Sequence, residues 1–267
     1  MEGVVNAEAS PLLTDAIVRP PGPSFGDGLT TAGLGAPDIA LALRQHRAYC
    51  DALILAGVAV HELGAAANFP DSTFVEDTAV LTPRVAVLTR PGAPSREEEV
   101  PLIADALSGR FPDYDAIVAP GTLDGGDICQ VGEHFLIGLS ARTNTSGAEQ
   151  FGSILEEHGY TGAVVDIRGR ADLLHLKSGV SWIGGDVLVV GRSLAGHAAL
   201  AAFSQLVVPD AESYAANCIR VNSRVLIPAG HPEMENLVRS AGLSSLKIDV
   251  SEFRKMDGGL SCLSLRY

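Results

Sequence analysis

The sequence contains no run of about 18 apolar residues, the length a membrane-crossing helix requires. Its opening, MEGVVNAEASPLLTD, lacks both the basic start and the apolar stretch of a secretion signal. Both absences point to a cytoplasmic protein without a membrane partner. The four cysteines, Cys50, Cys129, Cys218 and Cys262, stand far apart with no CxxC pair, which speaks against a zinc ribbon or a disulfide framework and favours reduced thiols. No HxxxH spacing joins His46, His61, His134, His158, His197 or His231, so no metal role is assigned to them. Basic residues are also scarce: 19 against 32 acidic ones, a net charge of −13. That balance repels nucleic acid and suits a small cationic partner, although acidity alone also serves solubility.

The chain does have many short apolar runs rich in Val, Ile and Leu, paired across small turns and followed by a helical stretch and one more run. DTAVLTPRVAVLTRPG, SREEEVPLIADALSGRF and DAIVAPG form the clearest unit. Its helix places Val100, Ile103, Ala104 and Leu107 on one face, with a capping box expected from Ser95 to Glu98. DICQVGEHFLIGLSART, GAEQFGSILEEHGY and GAVVDIRG make the next; VSWIGGDVLVVGRS, a helix over LAGHAALAAFSQ, and LVVPD a third; NCIRVNSRVLIPAG, HPEMENLVRSAG and LKIDVS a fourth. The start of the chain, with DAIVRPP, the helix APDIALALRQHRAYCDALILAG and VAVHEL, lacks one strand, while GLSCLSLRY at the other end is a strand without a helix. Pairing these two closes a ring of five α/β units and removes its exposed edges. Asp77, Asp127, Ser178, Cys218 and Cys262 then mark equivalent hairpin starts, expected to converge on one central cavity.

Four stretches carry chemistry. In FPDSTFVEDTAV, Asp71, Glu76 and Asp77 flank apolar residues before a strand, where acids are costly unless they meet a cation; Asp71 and Ser72 also read as a solvated turn. LDGGDI places Asp124 and Asp127 around two glycines, a pattern shared by ordinary turns and by backbone that approaches a ligand closely. His175, between Leu174 and Leu176, reads as a buried or half-buried strand residue. Cys262 follows Gly258 and Gly259, which let backbone approach a ligand, and a nearby imidazolium would favour its thiolate. Cys50, Cys129 and Cys218 lie in apolar patterns and read as packing.

Together, FPDSTFVEDTAV, LTRPGAPSR, LDGGD, IGLSARTN, LLHLKS, VPDAESYAANC and MDGGLSC, in this order from about Ala16 to the end, resemble the dimethylarginine dimethylaminohydrolases of the guanidine-modifying, or pentein, superfamily. The resemblance implies a five-unit pseudo-symmetric α/β propeller closed by the N- and C-terminal strands, with residues 1–14 as a tail and 15–267 as one catalytic domain. It implies hydrolysis of Nω-methylated arginine to citrulline and an amine without metal or organic cofactor, by a monomer or homodimer. Cys262 is then the nucleophile, His175 the general acid and base, and Asp124 the carboxylate that orients His175. Asp77 hydrogen-bonds the guanidinium, Asp71 and Glu76 contact substrate, and Arg96 and Arg142 hold its α-carboxylate. Met256 and Leu29 fall where family backbone touches ligand. Leu29 lies in the Gly/Pro-rich stretch RPPGPSFGDGLTTAGLGAPD, which departs from the family pattern and reads as a lid, and Ser72-Thr73 depart from it as well.

Arginine deiminase and amidinotransferase chemistry need the same thiol, histidine and acids and differ only in the leaving or attacking amine. A propeller used purely for binding would need no Cys262, His175 and Asp124 together.

Overall fold

Strands this short bury too little surface to stand alone, so they gather in threes and the threes pack against one another. In the computed structural model, which describes residues 12–111 and 113–267, unit one contains β1 (Asp15–Val18), α1 (Ile39–Leu55) and β2 (Ala59–Glu62). Unit two contains β3 (Ala79–Leu81), β4 (Ala86–Leu88), α2 (Glu99–Leu107) and β5 (Asp115–Ala116). Unit three contains β6 (Ile128–Val131), β7 (His134–Leu139), α3 (Thr145–Glu157) and β8 (Thr161–Asp166). Unit four contains β9 (Val180–Gly184), β10 (Val187–Gly191) and β11 (Ser204–Val208). Unit five contains β12 (Ile219–Val221), β13 (Arg224–Pro228), α4 (Pro232–Ser240) and β14 (Ser244–Ile248). The chain then runs through α5 (Ser251–Arg254) to β15 (Leu265–Arg266).

Each unit is a three-stranded sheet whose middle strand is antiparallel to its hairpin partner and parallel to the strand that follows the connection. Unit one obeys the same rule because β15 supplies the missing strand, with Ala16 opposite Arg266 and Ile17 opposite Leu265. The amides of Thr14 and Asp15 donate to the Tyr267 carbonyl at 2.9 and 3.0 Å, and the Asn222 side chain binds both the N–H and the C=O of Leu13. The expected closure between the two ends of the chain is therefore present. Of the expected tail over 1–14, residues 1–11 lie outside the described residues.

The apolar core is divided in the same cyclic way. Val87 and Leu123 of unit two pack with Phe135 and Phe151 of unit three, and Leu136 and Val165 of unit three with Val180 and Leu188 of unit four. Ile183 and Val189 of unit four meet Val225 and Met234 of unit five. Ile219 and Leu226 of unit five meet Val18 and Tyr49 of unit one, and Ile17 and Leu265 of unit one meet Val75 and Ala86 of unit two. Every unit thus buries one side of its sheet against each neighbour, and the five-unit α/β propeller is complete.

Short 3-10 turns lead into the hairpins: Val75–Thr78 before β3, Gly125–Asp127 before β6, Leu176–Ser178 before β9, Asp210–Ala216 ahead of β12 and Ser261–Leu263 before β15. They touch in the order 261–263, 75–78, 125–127, 176–178, 210–216. With three residues per turn, adjacent side chains in such a turn diverge by about 120°.

Several expectations need correction. Ser95 caps no helix: it sits in a 3-10 turn, Pro94–Arg96, that swings Arg96 inward, and α2 starts one residue after Glu98, whose side chain makes no capping bond. LAGHAALAAFSQ forms only the 3-10 turn Ala198–Leu200, because the chain reverses at Gly196 with φ of 74°, a conformation outside the helical region. His175 is no strand residue but precedes the turn Leu176–Ser178, and the C-terminal strand is confined to Leu265–Arg266, which leaves Cys262 in a 3-10 turn. The equivalent positions also do not share one cavity. Asp77 and Cys262 line one, Cys218 lines another, and Asp127 is wholly buried.

Leu265 is 4% exposed and lies across the closing seam from Ile17. Leu265→Ala is expected to lower stability by about 2–5 kcal/mol in denaturant titrations, whereas the half-exposed Val164→Ala changes it by at most about 0.5 kcal/mol.

Candidate active site

The turn Val75–Thr78 turns Asp77 into the ring, where its two oxygens are claimed separately. Oδ1 accepts from the Gly126 amide at 2.9 Å and Oδ2 from Arg96 Nη1 at 2.5 Å. Gly126 must be glycine here, since a Cβ would stand 2.8 Å from both Asp77 Oδ1 and the His175 ring. Asp124, 1% exposed, accepts from the Gly92 amide at 2.7 Å through Oδ1 and pairs through Oδ2 with His175 Nε2 at 3.0 Å. Asp127, 0% exposed, is bound by Ser140 Oγ and Thr143 Oγ1 at 2.6 and 2.7 Å, and its other oxygen accepts from the Leu176 amide at 2.9 Å. Three carboxylates therefore surround one buried imidazole. LDGGDI is a turn, as its pattern allows, but one whose acids face inward.

Charge sets the protonation states. Burial pulls the His175 imidazole down, yet Asp77, the hydrogen bond to Asp124 and the charge of Asp127 outweigh it and hold the value up at about 9. Burial pushes the Asp77 carboxyl up, while His175 and Arg96 outweigh that and hold it below the ordinary carboxylate range. Cys262, 9% exposed, has its thiol pushed up to about 12 by burial, Glu76 and Asp77. At neutral pH the site holds an imidazolium and a neutral thiol.

Nine of the ten residues singled out above line the same cavity: Cys262, His175, Asp124, Asp71, Asp77, Arg96, Arg142, Met256 and Leu29. The tenth, Glu76, does not. Its side chain lies in a neighbouring cavity of about 200 Å³, bound to Lys177 Nζ at 2.6 Å, Ser261 Oγ at 2.8 Å and Arg266 Nη2 at 3.4 Å, because its direction differs from that of Asp77 by the pitch of the 3-10 turn. Arg96 is present but fully engaged, donating to Asp77, twice to Glu99 Oε2 and to the Asp71 and Phe74 carbonyls. Arg142 is half-buried and, among the described residues, its guanidinium has no hydrogen-bond partner.

Asp71 and Ser72 are buried rather than solvated, at 7% and 4% exposure. Burial raises the Asp71 carboxyl even with Arg96 nearby, and both its oxygens receive the Leu29 amide, at 3.0 and 3.3 Å. The Gly/Pro-rich stretch is latched over the cavity by this bond, by Thr31 N and Oγ1 on Asp257 Oδ2 at 2.5 and 3.0 Å, and by Thr30 Oγ1 on the Lys255 carbonyl at 2.8 Å. Behind it Phe25 is buried against Phe74 and Phe253. Packing also requires Gly258 and Gly259, since a Cβ on either would collide with the Phe74 ring or the Asn217 side chain.

Positioning residues to which the sequence assigned no role are Asp127, noted there only within LDGGDI and as a hairpin start, and Gly92, Asn217 and Ser261. Asn217 Oδ1 accepts from the Ser261 amide at 2.9 Å and its Nδ2 donates to Ser261 Oγ at 3.1 Å, which fixes the turn carrying Cys262. All four lie in or beside the motifs LTRPGAPSR, LDGGD, VPDAESYAANC and MDGGLSC, so the signal was there as motif membership without a chemical reason.

Five α/β units around a cavity that holds a thiol, an imidazolium and converging carboxylates define a guanidine-modifying enzyme. The arginine deiminase family profile matches residues 66–229. The chain is 44% identical over 252 residues to an N(G),N(G)-dimethylarginine dimethylaminohydrolase of Pseudomonas aeruginosa, covering 94% of this chain and 98% of that protein. It is 34% identical to one of Streptomyces coelicolor, covering 94% and 96%. A cysteine-to-serine mutant of the Pseudomonas aeruginosa enzyme complexed with citrulline superposes with a TM-score of 0.93 at 43% identity, over 96% of this chain and 100% of that one. The chain belongs to the dimethylarginine dimethylaminohydrolase family. At 17% identity and a TM-score of 0.83, the N-terminal domain of a cyanobacterial arginine dihydrolase shares the fold.

Asp124→Asn removes one of the charges that keep His175 protonated. The His175 titration midpoint, followed by NMR, is expected to fall below its value of about 9. A folded value above the ordinary 6.5 means that the stability His175 contributes is fully present below pH 6.5 and is lost as pH rises through about 9, which unfolding of wild type against His175→Asn across that window measures.

Proposed function

We propose that this chain hydrolyses Nω-methylated L-arginine, as asymmetric dimethylarginine or monomethylarginine, to L-citrulline and dimethylamine or methylamine through a covalent adduct of Cys262. The observation that carries this reading is a buried thiol and imidazolium in one cavity with Asp71, Asp77 and Asp124. A planar cation fits that charge pattern and a neutral or anionic substrate does not.

The guanidinium enters between Asp71 and Asp77, and its α-carboxylate meets Arg142, the cavity cation left without a partner. Arg96 supports this indirectly by holding Asp77 in place. The arriving positive charge offsets that of Glu76 and Asp77 near Cys262, so the thiol gives up its proton to water more readily as substrate binds. The thiolate attacks the central guanidinium carbon and forms a C–S bond. His175, protonated at rest, then gives its proton to the methylated nitrogen as the C–N bond breaks and the amine leaves. The neutral imidazole next accepts a proton from water, whose oxygen adds to the same carbon. The C–S bond breaks as the added hydroxyl becomes the citrulline carbonyl, and the hydroxyl proton goes to the departing Cys262 sulfur, restoring the thiol. Asp124 holds the ring in place throughout, and Asp127 holds the backbone at Leu176. The lid residue Leu29, tied to Asp71, excludes bulk water from the reacting carbon. We place this activity in the cytoplasm, in a monomer or homodimer. The likeness to enzymes named for dimethylarginine favours this reading over deiminase or amidinotransferase chemistry.

Turnover of asymmetric dimethylarginine, monomethylarginine and arginine, measured side by side through citrulline and the released amine, is expected to favour the methylated substrates and to vanish in Cys262→Ser. Citrulline from arginine alone would make the chain a deiminase. Arg142→Ala is expected to raise KM by about 10–100-fold, the worth of a charged hydrogen bond, with a smaller change in kcat.

A further inference from the structure

Away from the active site, α1 and β2 bring together three groups that the chemistry above does not use. His46 and Cys50 stand one turn apart on α1, so their side chains leave the same helix face. His46 Nδ1 lies 3.7 Å from Cys50 Sγ. Glu62, at the end of β2, completes a cluster in which one nitrogen, sulfur or carboxylate oxygen from each residue lies within 4.8 Å of the others. His46 and Cys50 are 2% and 5% exposed, whereas Glu62 is exposed, so the cluster has a dry side of soft ligands and an open side facing water.

One further observation sets this cluster apart from ordinary packing. Among the described residues, the Glu62 carboxylate has neither an ion pair nor a hydrogen bond, although it lies beside a buried thiol and imidazole. The separation of the ligand atoms is also informative. A tetrahedral centre with a metal–sulfur bond of about 2.3 Å and a metal–nitrogen bond of about 2.0 Å places S and N about 3.6 Å apart. That is close to the observed spacing, so a cation can be accommodated without moving α1.

We propose that His46, Cys50 and Glu62 form a binding site for a zinc-class divalent cation, with a water molecule as fourth ligand on the exposed side. Thiolate, imidazole and carboxylate together suit such an ion, while magnesium and calcium prefer oxygen-only shells. On binding, the Cys50 S–H bond breaks, the proton passes to solvent and an S–metal bond forms, with no change of oxidation state. None of the three residues lines the catalytic cavity. The ion would fasten the long helix of unit one to the outer strand of its sheet, and the proposal stands independently of the reaction assigned above.

The test uses the full chain carrying Cys262→Ser, stripped with a chelator, so that the catalytic thiol cannot contribute a ligand. Titration with Co²⁺ is expected to give a sulfur-to-cobalt charge-transfer absorption saturating at one ion per chain. Zn²⁺ should displace the cobalt and raise the melting temperature. Adding Cys50→Ala or His46→Ala should abolish both signals. Glu62→Gln should weaken affinity by roughly tenfold or more, since even the loss of a ligand's hydrogen-bond partner can cost that much. Absorption that persists in the Cys50→Ala protein, or no absorption in the Cys262→Ser protein, overturns the proposal. If Cys50→Ala does not fold, Glu62→Gln decides, because Glu62 is exposed at a strand end and unchanged cobalt affinity there overturns the assignment.

Discussion

Arg96 is the contact on which the site depends. Its guanidinium is almost fully buried, and every donor is directed to Asp77, Glu99 or a backbone carbonyl of the segment Asp71–Phe74. A charge placed there without partners would cost several kcal/mol, and so would the carboxylates without it. Because Arg96 is held by groups on both sides, Asp77 stays ionised in the interior, and an ionised Asp77 keeps His175 protonated. In the proposed reaction, the proton for the leaving amine is thus secured by a side chain that does not touch the amine.

The same arrangement explains why the cavity attracts a cation. His175, Arg96 and Arg142 carry three positive charges against the five carboxyl groups of Asp71, Asp77, Glu99, Asp124 and Asp127. Negative charge remains in excess after the internal pairing, and a guanidinium relieves it. Burial, with the charges of Glu76 and Asp77, keeps the Cys262 thiol protonated. In the proposed reaction recognition and activation are therefore coupled, because the arriving cation offsets part of the charge that holds the proton on the sulfur.

Much of this was legible in the sequence. The hairpin, helix and strand repeat gave the ring and its closure, because each unit repeats the same apolar pattern and β15 completes the one unit short of a strand. Nine of the ten site residues meet in one cavity. The errors share a physical origin. Glu76 and Asp77 read alike as neighbouring acids, but a 3-10 turn sends their side chains into different cavities. His175, flanked by two leucines, looks like a strand residue because one turn of 3-10 helix leaves no periodicity to detect. Arg96 looks free because, Glu99 apart, its partners are Asp77, nineteen residues away, and two backbone carbonyls. Asp127 looks like any turn acid until Ser140, Thr143 and the Leu176 amide are brought around it.

The turns at Val75–Thr78 and Ser261–Leu263 give the ring a partition one backbone thick. On one side stand Asp77 and Cys262; on the other, Glu76 and Ser261, joined to each other at 2.8 Å. Alternate letters of these two short words are thus read in different rooms, yet they share a single wall. A change in the chamber that holds Glu76, Lys177 and Arg266 that tilts this partition also re-aims Cys262. The geometry that the proposed reaction needs is therefore set in part by residues outside its own cavity.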